Sequence, residues 1–177
     1  MKRKSLGLAI LLTAFAGSAL AQNQISGTLK CGKPDSSDSS KSVEVGDYAG
    51  HMLIIEKGSC PWSVPMEIAG LKSTAWTGAS TADVMGAKFQ DRGYGVMMME
   101  NGDKAYVRFQ HTGTAKEGVA TYKGTWSFTG GTGKLKGLKG QGTYKGSGAP
   151  EGPNETQING KYSLPEASAT AKKNKPA

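Results

Sequence analysis

Between residues 118 and 152 the chain carries 11 glycines in 35 positions. Average usage is about 7%, which would place two or three there. Each glycine in a helix interior costs roughly 1 kcal/mol against alanine, so this stretch cannot be helical. It suits tight turns, bulges and curved strands instead. The residues before it show a period of two. From Lys104 to His111 the odd positions are Ala105, Val107, Phe109 and His111, and the even ones Lys104, Tyr106, Arg108 and Gln110. From Val119 to Phe128 one face holds Ala120, Tyr122, Gly124, Trp126 and Phe128, and the other holds Thr121, Lys123, Thr125 and Ser127. Such alternation marks half-buried strands. Asn101-Gly102, between Tyr94–Glu100 and Lys104, is a strong hairpin signal.

Further strands are expected at 25–29, 51–57, 65–69, 82–90, 135–144 and 156–164. Eight to ten short strands joined by turn residues predict an all-β domain. A small antiparallel barrel of about eight strands is favoured, because closure removes the sheet edges. The single domain is placed at 22–165. The polar run 33–42 is read as one of the long N-terminal loops, and the Lys/Ala/Pro segment 166–177 as a disordered tail.

Residues 1–21 read as a signal peptide. Lys2, Arg3 and Lys4 precede an apolar run from Leu6 to Phe15 and a small-x-small exit, Ala19-Leu20-Ala21. Cleavage after Ala21 is expected to release a soluble protein into a bacterial periplasm or the medium. The apolar run is short for a membrane span, which needs about 20 residues, so no stable membrane insertion is expected. Taking those three bases from the 22 Lys and Arg leaves 19 against 14 acids, a net of +5. A body so mildly basic excludes a dedicated nucleic-acid binder. Cys31 and Cys60 are the only cysteines. In an oxidising compartment they are expected to pair, the alternative being two metal thiolates.

Gly130-Gly131-Thr132-Gly133-Lys134-Leu135-Lys136-Gly137 fails as a phosphate loop, since Leu135 stands where Ser or Thr is needed and no helix follows. Gly130, Gly131, Gly133 and Gly137 are read as structural. With Phe128 and Thr129 before it and Gly140 after, this run resembles the motif of the allene oxide cyclase and dirigent superfamily of calycin-type β-barrels. That resemblance implies an eight-stranded antiparallel barrel with an apolar cavity. The catalytic residues of the plant cyclases cannot be placed on this sequence residue by residue, so no activity carries over. Val45–His51 and Gly58–Trp62 are also similar to a group of small exported bacterial proteins of unknown function.

A metal site would need His51 and His111 together with Asp47 or Glu100, and Met97, Met98 and Met99 would add soft ligands; the simpler reading is core filler and satisfied rings, and no metal or other cofactor is expected. Asp47 and His51 form either an acid–base pair or a turn residue beside a strand start. Lys134, Lys136, Lys139 and Lys145 form a solvated face or an anion patch, with Lys134 and Lys136 on one strand face. Trp62, Trp76, Tyr94 and Tyr106 could fill a core or line a cavity. The candidate ligand residues are Asp47, His51, Tyr122, Trp126 and Phe128. Gly124 leaves a gap in its row, open to a neighbouring strand or a ligand. The expected function is binding of a small apolar or amphipathic molecule inside the barrel; a cyclase or isomerase, or a packed envelope interaction protein, are the alternatives.

Overall fold

The computed structural model describes residues 22–33, 36, 38–149 and 153–165. The expected signal peptide and C-terminal tail lie outside the described residues. The strands are β1 (Asn23–Cys31), β2 (Ser39–Glu44), β3 (His51–Val64), β4 (Glu67–Ile68), β5 (Leu71–Met85), β6 (Lys88–Met99), β7 (Lys104–Lys116), β8 (Val119–Gly131), β9 (Lys139–Gly148) and β10 (Asn154–Ser163). A single 3-10 turn spans Gly133–Leu135.

Eight strands close an antiparallel barrel in the order β1-β10-β9-β8-β7-β6-β5-β3, and β3 returns to β1. β2 lies outside this ring on β3, and β4 is a short hairpin partner of β5. The closure is split along β3. Its first half carries β2 on the free edge, while Trp62 and Val64 pair with Leu29 and Thr28 of β1.

Several expected boundaries are corrected. The strand placed at 82–90 contains a turn: β5 ends at Met85, Gly86 takes φ +58, and β6 starts at Lys88. The strand at 65–69 shrinks to β4, because Ala69 and Gly70 both take positive φ and end it. The polar run 33–42 is not all loop, since its last residues open β2. Every residue of β2 is exposed, so it shows no alternation to read. The strand at 135–144 begins later, at Lys139, behind the 3-10 turn. Lys134 therefore sits in that turn and does not share a strand face with Lys136.

The interior alternates rings with glycines. A Cβ at Gly124 would stand 2.8 Å from Tyr144 Cζ and 2.6 Å from His111 Cβ. One at Gly113 would run into the Phe89 ring, and one at Gly146 into the Tyr122 ring. A narrow barrel holds large side chains only where its neighbours are small. The inward row of β9 is the extreme case: Gly140, Gly142, Tyr144, Gly146 and Gly148. The gap at Gly124 is thus filled by the two adjacent strands and is no vacancy.

One end of the barrel is plugged. Met66, Ile68, Leu135 and Leu138 are at most 2% exposed there. The Tyr162 hydroxyl accepts the Ala69 amide at 2.9 Å, and Ser73 Oγ accepts the Met66 amide at 2.8 Å, which pins the β4 hairpin across the opening. At Gly133, φ is +51 and a Cβ would run into the Asp103 carboxylate, which accepts the Lys134 amide. Gly130 and Gly137 also take positive φ, and Gly131 lies against the Leu135 carbonyl. The outward rows of β7 and β8 are mainly Lys, Arg, Gln, Thr and Ser, the inverse of the apolar band of a membrane-spanning barrel. Among the described residues no helix is long and apolar enough to cross a membrane.

Candidate functional site

Above the plug the barrel holds a cavity of about 460 Å³. Its deep wall is apolar, with Trp62, Met97, Trp126 and Phe128 all at most 9% exposed. Toward the other end the lining turns mixed: Phe89, Tyr122 and Tyr144 stand among Glu56, Asp91 and His111. Cys31 and Cys60 are disulfide-bonded in its wall, with their Cα atoms 4.6 Å apart, and tie the end of β1 to β3.

The polar part is built by strand register. Asp91 on β6 faces His111 on β7, His111 faces Gly124 on β8, and Gly124 faces Tyr144 on β9. One rung across four strands therefore carries an acid, an imidazole, a gap and a phenol. Because Gly124 has no side chain, Tyr144 reaches over β8 and its hydroxyl lies 2.9 Å from His111 Nδ1. Phe89, Tyr122 and Tyr144 all pack on the His111 ring, at centroid distances of 5.7, 4.9 and 5.8 Å. The Tyr122 hydroxyl is 2.6 Å from Thr156 Oγ1.

Burial sets the protonation states. It pushes His111 down to about 4, so the ring is neutral at pH 7. Burial, with the charge of Asp91 and the neighbouring Tyr122, pushes Tyr144 far above its ordinary value. The Asp91 carboxylate on the far side of the ring favours the tautomer in which Tyr144 donates to Nδ1 and the His111 proton sits on Nε2. That atom faces Asp91 Oδ2 at 3.8 Å, an electrostatic contact too long for a hydrogen bond. Asp91 is pushed up to about 6, by burial first and then by the charge of Glu56. The Ser80 hydroxyl donates to Glu56 at 3.2 Å, and Asp91 Oδ1 is buried without a hydrogen-bond partner among the described residues.

No family model and no curated protein matches this sequence. Among solved structures it is similar to a conserved protein of unknown function from Rhodopseudomonas palustris, with TM-score 0.48 and 10% identity, over 82% of this chain and 99% of that one.

The sequence-predicted residues divide into two places. Tyr122, Trp126 and Phe128 line the cavity, as do Trp62 and Trp76. Asp47 and His51 do not. They meet outside it, at the turn before β3, where His51 Nδ1 is 2.5 Å from Asp47 Oδ1 and Nε2 is 3.1 Å from Asp83 Oδ1 on β5. The hydrogen bond to Asp47 is the main reason that His51 is held above its ordinary value, with Asp83 adding to it. This clamp ties the β2–β3 turn to β5. Tyr94 and Tyr106 point outward, and Lys134, Lys136, Lys139 and Lys145 are exposed. Among the described residues no group of three His, Cys, Asp or Glu is placed to hold a metal ion.

Asp91 and Glu56 were not singled out from the sequence. The signal for Asp91 exists: Phe89, Asp91, Gly93, Gly95, Met97 and Met99 form one inward row with a single acid in it. It becomes visible only once the turn is placed at Gly86.

Proposed function

We propose that this protein is exported and binds a small amphipathic molecule inside its barrel. The observation that carries the reading is the cavity of about 460 Å³, apolar in its depth and polar at Asp91, His111 and Tyr144. Ligand sites have this size and this mixture of apolar walls with a few converging polar groups. A barrel of eight strands is wide enough for one small ligand. The resemblance of the Phe128–Gly140 region to the allene oxide cyclase and dirigent barrels points the same way. The disulfide, and the signal-like residues 1–21, support export.

The neutral dye N-phenyl-1-naphthylamine tests this. It is expected to bind saturably at one site and to quench tryptophan fluorescence, since Trp62, Trp76 and Trp126 all line the cavity. Ala120→Trp places a large ring in the lining and is expected to abolish binding while the circular dichroism spectrum stays unchanged. No saturable binding by the wild type, or full binding by Ala120→Trp, overturns the proposal.

A cyclase- or isomerase-type enzyme is the second reading. It is favoured by the Asp91–His111–Tyr144 rung, in which a neutral imidazole sits between a carboxyl and a phenol inside the cavity. Such neighbours can move a proton on a confined substrate. Catalysis on a ligand recovered with the protein from its native compartment, lost in His111→Gln, separates this reading from simple binding.

A further inference from the structure

The cavity is acidic in a chain that is basic. Lys and Arg outnumber Asp and Glu by 22 to 14 over the sequence, yet among the described residues no Lys or Arg lines the cavity, while Glu56 and Asp91 both do. The imidazole of His111 does not supply the missing positive charge, since its burial keeps it neutral. Asp91 is 7% exposed, its Oδ1 has no hydrogen-bond partner among the described residues, and it lines the cavity. A buried carboxylate with one oxygen unsatisfied and no cation beside it among the described residues is a costly arrangement for a protein to keep.

Building on the ligand-binding reading above, we infer that the ligand is an organic cation: an aliphatic amine with an apolar body, whose ammonium group meets Asp91 Oδ1 and the Glu56 carboxylate while its body lies against Trp62 and Trp126. An ammonium supplies up to three donors and the absent charge together. Phe89, Tyr122 and Tyr144 pack around His111, the neighbour of Asp91, and line the same cavity, and aromatic rings attract cations where water is excluded. A neutral alcohol would give Asp91 a hydrogen bond but no charge, and an anion would add a third negative group. The surface field of a chain with net charge +5 beyond residue 21 repels cations, so selection has to come from the cavity itself.

Protons compete for the same place. Asp91, pushed up to about 6, holds a proton in the empty cavity under mildly acid conditions. The groups that face it are Glu56 from β3, Ser80 from β5, His111 from β7 and Tyr144 from β9. Burial and Glu56 favour the proton, while the Ser80 hydroxyl and the Arg92 backbone amide favour the charge. Amine binding at Asp91 therefore weakens as pH falls below about 6.

Calorimetric titration with 4-phenylbutylamine, 4-phenylbutan-1-ol and 4-phenylbutyrate at pH 7.5 tests the inference. The amine is expected to bind at least tenfold more tightly than the alcohol, and the butyrate more weakly than either. The amine-to-alcohol ratio is expected to fall toward one in Asp91→Asn, to fall part of the way in Glu56→Gln, and to shrink in the wild type at pH 5. Equal binding of amine and alcohol by the wild type, or a ratio unchanged in a folded Asp91→Asn, overturns the inference. In that case alcohol and dye binding still uphold the binding site. Failure of alcohol, amine and dye alike overturns the binding site itself. The wild-type comparison stands without any variant, should Asp91→Asn not fold.

Discussion

Tyr144 and His111 belong to strands that are not neighbours, and they touch because the strand between them contributes only Gly124. The phenol donates to Nδ1 at 2.9 Å across that gap. With the phenol as donor, the His111 proton sits on Nε2 and faces Asp91. Removing the hydroxyl should show this directly. Tyr144→Phe leaves Nδ1 without its donor and is expected to destabilise the fold by about 1 kcal/mol. It should also raise the His111 pKa, since the lost bond favoured the neutral ring. An NMR titration of His111 reads the shift, and an unchanged value would sink the assignment.

Asp91 and His111 pull the pH dependence of stability in opposite directions. His111 falls from 6.5 to about 4 on folding, so its contribution is whole above 6.5 and is lost as pH drops toward 4. Asp91 rises from 3.8 to about 6, so its contribution is whole below 3.8 and is lost as pH climbs through 6. Between about 4 and 6 the two slopes offset each other. Asp91→Asn removes one of them. The variant is expected to be more stable than wild type at pH 7 by ~2 kcal/mol, a figure reduced from the full shift because solvent reaches the cavity mouth. It should then lose stability more steeply between pH 6.5 and 4. Melting temperatures across that range provide the check, and parallel profiles would contradict the account.

Gly124→Leu is expected to disrupt folding rather than plug an empty site. The position is occupied from both sides, with a Cβ already 2.6 Å from His111 Cβ. Overpacking of a closed interior costs about 3 kcal/mol, more when backbone is in the way. Guanidinium unfolding measures it, and a variant as stable as wild type would show that the rings are not seated there.

The Cys31–Cys60 bond closes a loop with sequence separation 29. Replacing both residues by Ser is expected to lower stability by about 3.5 kcal/mol in the chain-entropy model. Intact mass should show no alkylated thiol until the protein is reduced. Two labelled thiols without reduction would contradict the bond.

The barrel was legible because its cause is local. Alternation at Lys104–His111 and Val119–Phe128 states which side chains go inward, and Tyr122, Trp126 and Phe128 do line the cavity. Asn101-Gly102 marks the β6–β7 turn, and the two cysteines admit one internal pairing. β2 was missed because a fully exposed strand has no buried face to produce a pattern. Most of β5 was missed for a related reason: its inward row includes Gly78 and Ser80, small or polar residues that match large rings from other strands.

The polar site was another matter. Asp47 and His51 look like a pair because they are four residues apart, and the structure does join them, on the outside. Asp91, His111 and Tyr144 are separated by 20 and 33 positions and form one rung only through three successive strand registers. The alternating faces, the glycine-bearing turns and the all-β class follow from local sequence, because each depends on neighbours one or two residues away. The register of eight strands around a closed ring decided which inward residues share a level, and so which acid is buried without a counter-ion. That choice depends on how rings and glycines from different strands fit together in one narrow interior, which no single stretch of sequence contains.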